Sequence, residues 1–183
     1  MYNLIDEHTK FLKIISEKNE YPMENTFGRF SHFTKTYVQN IQIPGSTRKI
    51  FWLNGEPITA VDTNDNEYST PPGFIFDAHS VPSIFRPLVG DFKSILPAGM
   101  HDLDYLLARR RRPSDRNYRL ALRWFNEGRI NSFFARTGLL FGGWVPHRNH
   151  KNTREDLGLL TIMINNTAVC EEEAIYKAQA LGL

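Results

Sequence analysis

The chain reads as an α+β protein, with a small antiparallel sheet in its N-terminal half followed by a helical lobe that carries a His-Asp motif. Three observations predict this. Short apolar segments separated by turn residues run from Tyr37 to Thr70. Helix-period apolar patterns take over from about Leu96. Hydrophobic residues make up 41% and aromatics 13% of the 183 residues, enough for a real core.

The elements follow in chain order. Leu4, Ile5, His8, Phe11, Leu12 and Ile15 recur at three- and four-residue steps, which predicts a helix over about Asn3 to Lys18. The stretch from Tyr21 to Thr36, with Pro22, Gly28 and scattered aromatics, shows no clear period. Strands are expected over Tyr37–Ile43, Lys49–Leu53 and Pro57–Val61, joined by Pro44-Gly45-Ser46 and the hairpin-type Asn54-Gly55. A polar turn over Asp62 to Glu67 precedes Tyr68-Ser69-Thr70. Residues 71–98, with Pro71-Pro72-Gly73, Pro82 and Pro87, read as a loop that holds Asp77. His101-Asp102 then opens a helix with Leu103, Leu106 and Leu107 on one face, and Pro113 ends it. Ser114 reads as the N-cap of the next helix, which stops at Gly128. Further helices are expected over about Asn131–Phe141 and Glu171–Leu181. The apolar run from Leu157 to Ile164 is ambiguous, and residues 145–153 look like an exposed loop. Residues 1–36 form a helix and irregular docking segment in this reading. Residues 37–183 form a single domain: sheet 37–70, motif loop 71–98, helical lobe 99–183.

Composition narrows the function classes. A net charge of +2 gives no argument for bulk nucleic-acid binding. One cysteine, Cys170, excludes an intramolecular disulfide and a cysteine zinc site. The N-terminus carries acid early and has no apolar core run, so no signal peptide is expected. No stretch approaches the roughly 18 apolar residues of a membrane span. A cytoplasmic site of synthesis is the expectation.

The chemistry-bearing residues bracket the helical starts. His101 can act as a base near neutral pH, and an antiparallel neighbouring helix can bring Asp115 beside it. Asp102 and Asp77 are oxygen donors of the kind that hold a hard cation. Tyr105, one turn beyond His101, can lay its ring on the imidazole and bond a buried carboxylate. The alternative for all of these is a polar network that locks two helices together. Ser80 beside His79 lacks the G-x-S-x-G context of a nucleophile elbow and reads as a loop hydrogen-bonder. His147 and His150, three apart, fit either metal ligation or a solvated loop. Arg109-Arg110-Arg111-Arg112 fits a phosphate or headgroup contact, or a solvated helix end.

These motifs carry two resemblances. Pro72-Gly73-Phe74, Asp77, Ser80-Val81-Pro82, His101-Asp102, Tyr105, Asp115, Tyr118, Ala121-Leu122 and Gly142-Gly143-Trp144 resemble an uncharacterised family of small phage and prophage proteins. That resemblance spans about residues 68–144 and implies phage origin rather than a reaction. The order Asp77 to Ser80, His101-Asp102, Tyr105 and Asp115-Arg116-Asn117-Tyr118 is distantly similar to bacterial phospholipase A2. By that similarity His101 activates a water and Asp115 orients it. Asp102 and Asp77, with a loop carbonyl, hold calcium, and Arg109, Arg110 and Tyr105 meet the substrate. Two functions are therefore expected. One is a virion- or tail-associated accessory protein, made in the host cytoplasm, in which the His-Asp motif stabilises the helical lobe and other phage proteins are the partners. The other is a calcium-dependent ester hydrolase that touches a membrane surface.

Overall fold

The computed structural model describes residues 30–33, 36–46, 48–54, 57–63, 65, 67–77, 95–107, 110–126, 128–142 and 159–183. The expected helix over Asn3 to Lys18, His79, Ser80, Arg109, Trp144, the 145–153 loop with His147 and His150, and Leu157 lie outside them.

The architecture is α+β. Among the described residues six short strands make two three-stranded antiparallel sheets. β1 (Phe30–Phe33), β4 (Thr59–Asp62) and β5 (Glu67–Ser69) form one, in the order β1-β4-β5. β2 (Val38–Ile41), β3 (Ile50–Leu53) and β6 (Ile75–Asp77) form the other, in the order β2-β3-β6. Five helices follow among the described residues: α1 (Leu96–Leu106), α2 (Arg111–Trp124), α3 (Arg129–Gly142), α4 (Leu159–Asn165) and α5 (Glu171–Ala180).

The β2-β3-β6 sheet is covered on both faces. Ile50, Trp52 and Ile75 point one way, into a core closed by Ala168, Ala174 and Ala178. Leu53, Phe74 and Phe76 point the other way, into a larger core with Met100, Leu103 and Leu106 of α1. A strand buried on both faces reads as an unbroken apolar run, which is why Ile50-Phe51-Trp52-Leu53 shows no polar alternation. The small alanines let α5 approach the sheet closely, and Trp52 Nε1 donates to the Ala168 carbonyl at 3.1 Å.

The two strands that lie outside the expected sheet region 37–70 have local explanations. β1 lies in the stretch without a clear period and is fixed by pairing with β4, with an irregular register between Phe30 and His32. β6 lies in the segment read as a loop, so Asp77 is a strand residue. Gly73, at φ +78°, makes the turn that brings Phe74–Asp77 back beside β3. Its N–H donates to the Leu53 carbonyl at 2.9 Å, and the Leu53 N–H donates to Phe74 at 3.0 Å. The two prolines before it precede the ladder, where no strand N–H is needed. The other edge of this turn is held by Thr167 and Ala168: the Ala168 N–H donates to Gly73 at 2.8 Å.

The helical lobe needs three corrections. His101-Asp102 does not open a helix: α1 begins at Leu96, with Pro97 in its first turn, so the pair sits in mid-helix. Ser114 is not an N-cap, because α2 begins at Arg111 and Pro113 occupies its first turn, where a missing N–H costs nothing. The Ser114 hydroxyl instead donates back to the Arg110 carbonyl at 3.1 Å. The arginine run therefore does not close a helix at its C-terminus. Arg110 is the residue before α2, and Arg111 and Arg112 lie in its first turn. The ambiguous apolar run holds most of α4, and Lys177 Nζ of α5 donates to the carbonyls of Ile164, in the last turn of α4, and Thr167, just beyond it, both at 2.8 Å. Among the described residues no helix is long and apolar enough to cross a membrane.

Candidate active site

α1 and α2 pack side by side, and α1 also packs on β6. Gly99 permits that second contact. A Cβ there would lie 2.9 Å from Ile58 Cδ1 and 3.1 Å from Phe76 Cζ, so glycine lets α1 sit this close without moving either side chain. Two turns of α1 then present polar side chains to α2 on one side and to the end of β6 on the other.

On the α2 side, His101 Nε2 lies 3.1 Å from Asp115 Oδ1. The Tyr105 hydroxyl donates to the same oxygen at 2.7 Å. His101 is 6% exposed and Asp115 fully buried. A carboxylate can only accept here, so Nε2 carries a proton. Tyr105 stacks obliquely on the imidazole at 4.2 Å, and Tyr118 lies at 4.9 Å from it. Burial, then the Asp115 charge, hold the Tyr105 hydroxyl well above the usual phenol range, while the Arg111 charge opposes them. Tyr105 therefore remains a proton donor to Asp115 across the working pH range.

On the β6 side, Nδ1 of His101 lies 4.0 Å from Asp102 Oδ1. That is too long for a direct hydrogen bond and is a spacing that a bridging water can span. Asp102 accepts from the Asp77 N–H at 3.2 Å and meets the Asp77 carboxyl as well. Burial and the adjacent Asp77 charge raise the Asp102 carboxyl well above the usual carboxylate range. Two carboxylates in contact resist ionising together, and a cation between them removes that conflict. Their oxygen donors suit a hard ion such as calcium, although among the described residues no third His, Cys, Asp or Glu joins them.

The structure thus brings His101, Asp102, Asp115 and Asp77 into one cluster, with Tyr105 inside it. Arg110 is exposed at the approach to α2, and Arg109 is not among the described residues. Sequence reasoning left two neighbours out of the site. Tyr118 is three residues from Asp115, so helical spacing alone puts both on one face of α2. Asp104, also buried on α1, accepts from the Tyr68 hydroxyl, whose oxygen lies 3.0 Å from the Met100 carbonyl oxygen as well. This second polar contact ties α1 to β5 and has no signature in the sequence.

No family model matches the chain, and no curated protein and no solved structure is significantly similar to it.

Proposed function

We propose that the chain is a calcium-dependent ester hydrolase of the phospholipase A2 kind, with His101 as the general base. One observation carries this reading. Asp115 occupies Nε2 of His101, and Nδ1 faces the Asp102 side at 4.0 Å. That is the arrangement a water-activating histidine needs: one nitrogen fixed, the other free to take a proton.

Asp115 orients the ring, and Tyr105 orients Asp115. A water held between Nδ1 and Asp102 gives its proton to Nδ1 as its oxygen adds to the ester carbonyl carbon. When the carbon–oxygen bond of the leaving alcohol breaks, the same proton passes from Nδ1 to the departing alkoxide. The imidazolium present between these steps is stabilised by Asp115. Asp77 and Asp102 would hold the calcium ion, which supplies positive charge for the developing oxyanion.

A second reading is favoured by the burial of His101 and Asp115. In it the chain is a phage virion or tail accessory protein, and the His-Asp-Tyr network is a staple between α1 and α2. Asp102 also fastens α1 to β6 through the Asp77 N–H, but a staple needs no second carboxyl beside it, which is why the hydrolase reading stands first.

The test is fatty-acid release from phosphatidylcholine vesicles with calcium and with a chelator, for the native protein and His101→Ala. Calcium-dependent release that His101→Ala abolishes supports the hydrolase. No release from vesicles or from soluble short-chain esters, with the protein folded, leaves the staple reading.

A further inference from the structure

The fold leaves the outer edge of β2 open. β2 ends the β2-β3-β6 sheet, and its inner side pairs with β3 from Val38↔Leu53 to Ile41↔Ile50. In an antiparallel ladder alternate residues turn their N–H and C=O groups away from the neighbour. On the outer side of β2 those groups make no hydrogen bond among the described residues. The opposite edge of the same sheet is closed. There the Ile75 N–H of β6 donates to the Asn166 carbonyl at 2.9 Å, and Phe74 bridges to Thr167.

The sequence of the β2 edge lacks the usual protection. Edge strands are kept from pairing by lysines, by prolines within the strand or by inward-pointing charges. No charged residue stands between Lys35 and Arg48, and Pro44 lies beyond the strand. Asn40 and Gln42 are exposed, and Tyr37 is 67% exposed.

We propose that β2 pairs antiparallel with β2 of a second copy of the chain, which joins two three-stranded sheets into one of six strands. The missing charge is what selects a second copy. Two-fold pairing lays this segment against its own sequence, so a charge near the axis would meet its like, and the segment carries none. The faces then limit the register. Ile41 lies in the core with Ala174 and Ala178 of α5, and Gln39 Nε2 donates to Glu171 of α5 at 2.6 Å. Val38 packs on the larger core, on the other face. Directly opposed residues of paired strands share a face, so the axis passes through a residue and not between two. Pro44 has no N–H, and the Ile43 carbonyl already accepts from the Ser46 N–H at 3.0 Å, so pairing stops at Ile43. Centred on Asn40, the paired segment runs from Tyr37 to Ile43. It spans roughly 20 Å and closes about six backbone hydrogen bonds. Asn40 faces Asn40 of the second copy, Gln39 faces Ile41 and Gln42 faces Val38. This association does not rest on hydrolysis, and its test reads oligomeric state alone.

The experiment is sedimentation equilibrium of the full chain. The native protein is expected to be a dimer in equilibrium with monomer. Asn40→Lys sets two like charges opposite each other at the axis, on a side chain that is exposed in the single copy. It is expected to keep the fold and weaken association about fivefold. Asn40→Glu is expected to do the same, and circular dichroism checks the fold of both. A mixture of N40K and N40E opposes unlike charges, so it is expected to associate more tightly than either variant alone. Added salt is expected to narrow these differences. A dimer indifferent to both substitutions, or a mixture no tighter than the separate variants, overturns the proposal. A native protein that stays monomeric at every concentration overturns it in favour of a strand from a different protein.

Discussion

Replacing Asp115 tests the network that joins α1 to α2. In Asp115→Ala two buried donors lose their acceptor at once: His101 Nε2–H at 3.1 Å and the Tyr105 hydroxyl at 2.7 Å. A hydrogen bond to a charged group contributes about 1.5–3 kcal/mol, and a donor left buried without a partner costs about as much. Removing the carboxylate also relieves an existing cost, because its Oδ2 makes no hydrogen bond among the described residues. The expected net loss is about 3–5 kcal/mol. For a chain of this length that lowers Tm by roughly 10 °C. Asp115→Asn keeps the shape and one acceptor, so its loss is expected to be about half as large. Thermal unfolding followed by circular dichroism reads both. Tyr105→Phe adds a coupling test: it should destabilise the native protein by about 1–2 kcal/mol and the Asp115→Ala variant by far less. A Tm for Asp115→Ala within about 2 °C of the native protein would refute the reasoning, since no buried acceptor shared by two donors could be removed so cheaply.

Two further outcomes follow from other parts of the fold. The Asp102 carboxyl is raised in the folded protein, so folding favours its protonated form. Its stabilising contribution is full below the ordinary carboxylate pKa and is lost as pH rises through the raised value. Asp102→Asn should therefore be more stable than the native protein at neutral pH without calcium, with the difference vanishing in acid. Urea titrations across pH check this, and an Asn variant that is less stable at neutral pH contradicts it. Gly73→Ala should destabilise by more than about 2 kcal/mol, because an L residue is strained at φ +78° and its Cβ would lie 2.3 Å from the Ala168 carbonyl oxygen. An unchanged denaturation midpoint would show that this turn is not held as described.

Much of this arrangement was legible in the sequence, for reasons that particular residues make clear. β2, β3 and β4 announce themselves by turns at Pro44-Gly45 and Asn54-Gly55 that bound short apolar runs. The α3 and α5 spans follow from apolar period and length. Tyr105 against His101 follows from a four-residue step. β6 was hidden because its partner is distant in sequence and two prolines and a glycine precede it; only pairing with β3 makes Phe74–Asp77 extended. The α2 start was misread because Pro113 signals a break when it lies inside a helix and a beginning when it lies in the first turn, and the residue itself does not say which. That shift moved the arginines from a helix end, where the dipole explains them, to a helix start, where it does not. The Asp104–Tyr68 contact spans 36 positions and depends on how α1 lies on the sheet, which no local pattern encodes.

Calcium binding tests the central claim most directly, because the Asp77–Asp102 pair separates a hydrolytic site from a staple. Isothermal titration of the native protein with calcium should show one site per chain. Its affinity should fall as the pH is lowered, since the ion competes with the proton on Asp102. Asp102→Asn and Asp77→Asn should each abolish it while leaving the fold intact. No binding heat at any pH, or binding that survives both substitutions, would contradict the account.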